Sequence, residues 1–220
     1  MQKQIYTLVV DFSIEGDLAY LSHQETLTMF ERALVRASVP LVYSMGFNPH
    51  PHLSIPFPRS VGTQSARDRV FATVEFSEES LMQDWGYKIQ RQLPAESSVV
   101  KVESIPGKCM FHPEGVRYVF HLGLPINEQF QRHLGSCREQ VIKKSPIPTQ
   151  RYWAKKRRYK QIDLSLYLEE LDFSKDQIEV ACSVSQSGTV RVDEIMKWLN
   201  ITPGQFSKPV CRTEIRWSQN

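Results

Sequence analysis

The residues best equipped for chemistry in this chain lie in one stretch, Leu41 to Pro58, which reads LVYSMGFNPHPHLSIPFP. Tyr43 and Phe47 offer ring faces for stacking, while Ser44, Asn48 and His50 offer hydrogen bonds, and four prolines stiffen the chain around them. Connecting loops tend to be short and polar, so an aromatic, imidazole-bearing and proline-rigid loop reads as a contact surface. Aromatic faces with amide and imidazole groups between them suit unpaired nucleotides. His50 and His52 are alternate residues and share one side of an extended chain. No third histidine or carboxylate stands near them in sequence, so no metal is expected there.

A second concentration is RYWAKKRRYK, Arg151 to Lys160. From Ser145 to Lys160 there is no acidic residue, and Tyr152, Trp153 and Tyr159 interleave with Arg151, Lys155, Lys156, Arg157, Arg158 and Lys160. Cations with aromatics between them serve both a sugar-phosphate backbone and its bases. Arg32 and Arg36 lie four apart, one helical turn, so their guanidinium forks can close on one phosphate or carboxylate. His23 is expected at a helix start, where free backbone N–H groups favour an anion. No complete catalytic set is written. His23 and His50 are the candidate general bases and Asp68, beside Arg67, the candidate carboxylate.

The elements that must position these groups follow from periodicity. Ile5 to Phe12 alternates as a strand, and Ser22-x-x-Glu25 is a capping box opening a helix. That helix buries Leu27, Phe30, Leu34 and Ala37 and is expected to run to Pro40. Leu41 to Ser44 and Leu53 to Phe57 read as short strands and Arg69 to Phe76 as a longer one. Leu81, Trp85, Ile89 and Leu93 share a helix face, and Val99 to Ile105 closes the set. The order βαββαβ is that of a ferredoxin-like sandwich. Beyond Pro106-Gly107 it repeats: strand Tyr118 to Leu124, a helix capped by Asn127 and broken across Ser145 to Pro148, strands Ile162 to Leu168 and Ile178 to Val184, helix Val192 to Leu199, and strand Thr213 to Trp217. The expectation is an α+β protein of two tandem ferredoxin-like domains, 1–106 with the Gly-Phe-Asn-Pro-His-Pro loop and 107–220 with the basic aromatic run.

Composition bounds the rest. With 220 residues, 41% hydrophobic and 23% charged, the chain is ordinary globular material, and a net charge of +3 leaves any nucleic-acid affinity to local clustering. No apolar run approaches the roughly 20 residues of a bilayer span, and the start lacks a signal-peptide pattern, so a cytoplasmic protein is expected. Cys109, Cys137, Cys182 and Cys211 have no ligand spacing and are read as reduced, mostly buried thiols.

The stretch from Tyr20 to Gly62, with its Leu-Ser-His helix start, Phe-Glu-Arg-Ala-Leu-x-Arg-Ala and Tyr-Ser-x-Gly-Phe-Asn-Pro-His-Pro, closely resembles the radical-SAM-linked protein family, a bacterial domain found alone or fused behind a cobalamin-binding radical SAM enzyme. His23, Arg32, Arg36, Tyr43, Ser44, Gly46, Phe47, Asn48, Pro49 and His50 fall on the motif positions. Gln24-Glu25 stands where such proteins commonly carry Leu-Asp. The resemblance implies a companion of radical SAM chemistry and of RNA metabolism. Together these readings lead to an RNA-binding module for tRNA or rRNA, without cofactor or metal of its own. Its partner would be a separate radical SAM protein. A metal-independent ribonuclease or RNA-modifying enzyme and a purely protein-binding module are the alternatives.

Overall fold

Ser22 sets the entry to the first helix, because its side chain accepts from the Glu25 N–H at 3.3 Å while the Glu25 carboxylate accepts from the Ser22 N–H at 2.8 Å. Two otherwise orphaned donors are thereby satisfied. The computed structural model describes residues 3–77, 83–153 and 157–219 and shows an α+β fold. Contacts divide the chain into two units, residues 1–113 with 217–220 and residues 114–216.

The first unit contains β1 (Gln4–Ile14), α1 (His23–Arg36), β2 (Leu53–Ser54), β3 (Gln64–Phe76), α2 (Trp85–Gln90) and β4 (Val99–Pro106). Its strands lie in the order β4-β1-β3, with β2 also bonded to β3, and every one of these pairings is antiparallel. Leu8, Val10 and Phe12 alternate along β1 and point with Val70, Ala72 and Val74 of β3 into a core closed by Phe30 and Leu34 of α1 and by Trp85 and Ile89 of α2. Phe12 meets Phe30 at 4.2 Å between ring centroids, and Phe76 stacks on Trp85 at 5.4 Å. Each such side chain contributes about 1.5–3 kcal/mol through burial.

Four expectations change in this unit, the first being that β2 stops at Ser54 and does not reach Phe57, with Pro56 in between unable to donate to a ladder. α1 stops at Arg36, with Ser38 in the left-handed region at φ 59°, so a C-terminal turn ends it before Pro40 is reached. Leu41 to Ser44 is not a strand. It makes only the isolated bridges Leu41 to Val74 and Tyr43 to Pro51, because Pro51 opposite it has no N–H to extend a ladder. α2 covers Trp85–Gln90 alone; Leu93 packs on the core from beyond its end, and Leu81 lies outside the described residues.

The second unit takes up β5 (Phe111–His121), then α3 (Glu128–Ile142), β6 (Pro148–Trp153), β7 (Arg158–Asp163), β8 (Leu168–Ser174), β9 (Gln177–Ser183), α4 (Val192–Leu199) and β10 (Cys211–Gln219). The strand order is β10-β5-β9-β8, while β6 and β7 form a separate two-stranded hairpin. Asn127 caps α3 through the Phe130 N–H at 2.8 Å, and Leu134, Cys137 and Val141 form its buried stripe. α3 ends at Ile142, ahead of the Ser145 to Pro148 segment, and Lys144 turns the chain at φ 50°.

Ile162 to Leu168 is not one strand. The Asp163 carboxylate accepts from the N–H groups of Ser165 at 3.0 Å and Ile147 at 2.8 Å, which turns the chain through a short 3-10 helix at Leu164–Leu166 before β8 begins. No helix among the described residues is long and apolar enough to cross a membrane. The four cysteines form no disulfide among the described residues, Cys137 and Cys182 being buried and Cys109 and Cys211 half-buried. Burial pushes both buried thiols above their usual pKa, which keeps them protonated.

Candidate nucleic-acid interface

The hairpin β6–β7 converts the basic run into geometry. Paired residues of an antiparallel ladder share a face, so Arg151 with Lys160 and Trp153 with Arg158 stand on one side. Tyr152 and Tyr159 stand on the other, their rings 5.3 Å apart. The hairpin borders a cavity of about 420 Å³ whose lining includes Trp153, Lys160, Ile162, Tyr167, Ser187 and Arg191. Tyr167 and Ser187 carry no signal in the sequence; they are 20 residues apart, and only the fold brings their hydroxyls to 3.2 Å. The volume lies in the range of ordinary small-ligand sites.

Arg151 has a different place from the one expected of a phosphate ligand. Its Nε donates to Glu194 Oε1 and its Nη2 to Glu194 Oε2, both at 2.6 Å, and Nη2 also donates to the Thr189 carbonyl at 2.7 Å. Glu194 is 3% exposed at its side chain and Arg151 16%, so the pair is largely withdrawn from water. Burial alone would raise the Glu194 carboxyl, but the Arg151 hydrogen bonds and the Arg191 N–H outweigh it and hold the pKa below its usual range. Arg151 therefore fixes the hairpin to the N-terminal turn of α4. The cations left to a ligand are Lys160, Arg157 and Arg158, all exposed and with no carboxylate at ion-pair distance among the described residues. Lys155 and Lys156 lie outside the described residues.

The Tyr43 to His52 loop is pinned at its base and open at its tip. The Val42 N–H donates to the Thr73 carbonyl and the His52 N–H to the Val42 carbonyl, both at 2.9 Å. Higher up, the Ser44 N–H donates to the His50 carbonyl at 2.8 Å, and the His50 N–H donates to Ser44 Oγ at 3.0 Å. Gly46 turns the tip at φ 133°, a conformation that favours glycine. Met45 and Phe47 are 98% and 106% exposed, so neither packs on its own unit. Tyr43, Asn48, His50 and His52 are exposed as well.

His23 sits elsewhere, beside a small cavity of about 10 Å³ that it shares with Leu21, Thr26, Ile55, Arg59 and Asp68. Asp68 is 1% exposed, accepts a hydrogen bond from Ser65 Oγ, and pairs with Arg59 at 3.4 Å. The structure thus brings His23 and Asp68 to one cavity and leaves His50 on the exposed loop. Asp11, silent in the sequence, is buried under Arg67 at 2.7 Å and Arg69 at 2.6 Å. Burial acts to raise its carboxyl, and the two arginines more than reverse this. The Arg69 guanidinium lies 5.4 Å from the Trp217 ring centroid and near Phe71 and Phe111, a packed arrangement that leaves it structural. Among the described residues no three His, Cys, Asp or Glu side chains gather as a metal site.

The sequence pattern of the family described as an uncharacterized protein conserved in bacteria, DUF2344, matches residues 7–192. The chain belongs to that family. No curated protein matches it. The DUF2344 match takes in α1, the Tyr43 to His52 loop and the β6–β7 hairpin, and it stops at the first residue of α4, before Glu194.

Proposed function

We propose that this DUF2344 protein is a non-catalytic RNA-binding module that presents tRNA or rRNA to a separate cobalamin-binding radical SAM enzyme. The observation carrying the reading is the hairpin face on which Trp153, Arg158 and Lys160 stand together, Trp153 and Lys160 also lining the cleft, with neither cation having an acidic partner among the described residues. An aromatic face takes an unstacked base while the cations take the adjoining phosphates, and stacking of this kind contributes about 1–3 kcal/mol per base. The strand orders β4-β1-β3-β2 and β10-β5-β9-β8, each wound with two helices, support two ferredoxin-like sandwiches, the second carrying the hairpin as an insertion. The resemblance of Tyr20 to Gly62 to radical-SAM-linked proteins supports the choice of partner.

Filter binding of the full chain to bulk tRNA and rRNA at about 50 and 200 mM salt tests this reading. Micromolar binding that weakens steeply with salt is expected, and no binding at the lower salt overturns it. The Met45–Phe47 tip favours a second reading, docking of a protein partner without RNA. If Phe47→Ala abolishes co-purification of the radical SAM protein while the wild type binds no RNA, that second reading replaces the first.

A further inference from the structure

Away from the hairpin and the loop, the first unit has an open groove of about 760 Å³ along α1. Arg32 and Arg36 project into it from α1, and Arg91 enters from just past the end of α2. Arg91 is steadied by Tyr87, whose ring centroid is 5.7 Å from its guanidinium and whose hydroxyl is 3.5 Å from its Nη1. None of the three arginines has a carboxylate at ion-pair distance among the described residues. The acidic residue in the lining, Glu25, has its carboxylate turned to the capping box with Ser22. Met29, Leu93 and Pro94 supply apolar surface beneath the arginines.

Three guanidinium groups in one groove with no carboxylate partner among the described residues repel one another, and an anion that bridges them relieves that repulsion. A single buried phosphate would call for an enclosed site with converging donors. This groove is open, and its cations are contributed by two separate segments, which suits successive phosphates of an extended strand. The apolar side chains in the same lining, Met29, Leu93 and Pro94, match the sugar faces that such a strand presents. We infer that the Arg32–Arg36–Arg91 groove is a second, sequence-independent RNA contact that tracks the phosphodiester backbone of a single strand. This rests on the RNA-binding reading but uses none of the hairpin residues.

The test is fluorescence anisotropy of the full chain with a labelled single-stranded oligouridylate across a salt series. The variant carries Arg32→Gln, Arg36→Gln and Arg91→Gln. With three phosphates of a single strand no longer neutralised, the salt slope is expected to flatten by roughly 2 and low-salt binding to weaken by at least about tenfold. A parallel measurement needs no variant. Phenylglyoxal labelling of the wild type, read by mass spectrometry, should show Arg32, Arg36 and Arg91 protected by the oligouridylate, with exposed Arg132 as the unprotected control. A triple variant that binds with wild-type affinity and slope, with no protection of the three arginines, overturns the groove and leaves RNA binding standing. Protection by inorganic phosphate but not by the oligouridylate overturns it too, in favour of a small-anion site. If the wild type does not bind the oligouridylate at all, the groove falls, while the RNA reading stands or falls on the tRNA and rRNA filter binding.

Discussion

The two segments that look most alike in sequence, the Tyr43 to His52 loop and the Arg151 to Lys160 run, behave differently once folded. Both mix aromatics with groups that bind anions or bases. The loop is held by backbone bonds at its base and sends its apolar tip into solvent, with Phe47 fully exposed. The run becomes a hairpin whose first arginine is sunk against Glu194. Counting cations therefore overstates what a charged run offers a ligand, because one of its members is used to build the platform that the others stand on.

The sharpest way to break this contrast is to remove the acid. Glu194→Ala leaves Arg151 buried without its counter-charge, and removing one partner of a buried pair costs about 3–5 kcal/mol. Urea unfolding followed by tryptophan fluorescence reads it. The same variant should lose RNA affinity only through the hairpin's misplacement, so Arg151→Ala should have a similar effect on both stability and binding. If Arg151→Ala weakens RNA binding while stability is unchanged, Arg151 is a ligand residue and not part of the platform.

The next effect separates stacking from charge on the hairpin. Trp153→Ala should cost about 1–3 kcal/mol in RNA binding with little change in salt slope. Replacing Arg157, Arg158 and Lys160 with alanine should instead flatten the slope by roughly 0.7 for each phosphate no longer held and weaken all RNAs alike. Binding isotherms on two RNAs at several salt concentrations distinguish the two. Equal slopes for both variants would remove the division of labour between ring and cation.

These differences are only partly legible in the sequence. α1 is readable because Ser22 and Glu25 lie three residues apart and the Phe30–Leu34 stripe repeats locally. β1 and β3 are readable because they are rich in β-branched and aromatic residues, although in the middle of β1 Thr7 to Phe12 are all buried and the period of two is lost. The hairpin is not, since its two faces both carry polar or charged residues and the period of two has no apolar face to mark it. Asp163 is equally hidden: a carboxylate in an alternating run gives no sign that it will cap a turn and divide one expected strand into two. At the site, Tyr43, Phe47 and His50 announce an exposed loop through their prolines. The Arg151 to Glu194 pairing joins residues 43 apart, and nothing short of the fold puts them together.

A smaller effect follows from pH. The Glu194 carboxyl lies below its ordinary value of 4.5 in the folded protein, and Asp11 lies below 3.8. The unfolded chain therefore binds protons first as the pH falls. The stability that each pair confers is complete above its ordinary value and is lost as the pH drops through the lower, folded one. Urea midpoints measured downward from neutral pH should fall more steeply for the wild type than for Glu194→Gln, which has no carboxyl to protonate. Parallel curves for the two would mean that Glu194 is not held ionised by Arg151.

The smallest expected effect bears on the loop. Because Met45 and Phe47 are fully exposed at its tip, Phe47→Ala should shift stability by no more than about 0.5 kcal/mol, the range of ordinary surface substitutions. That near-silence in thermal unfolding contrasts with the several-kcal/mol destabilisation at Glu194, although both the loop and the hairpin that Glu194 anchors look functional in sequence. A stable Phe47→Ala that no longer prefers one RNA over another marks the ring as a stacking surface. An unstable Phe47→Ala means the tip folds back on the protein in solution. The loop would then be packing rather than contact surface, and the hairpin and the α1 groove would have to carry recognition alone.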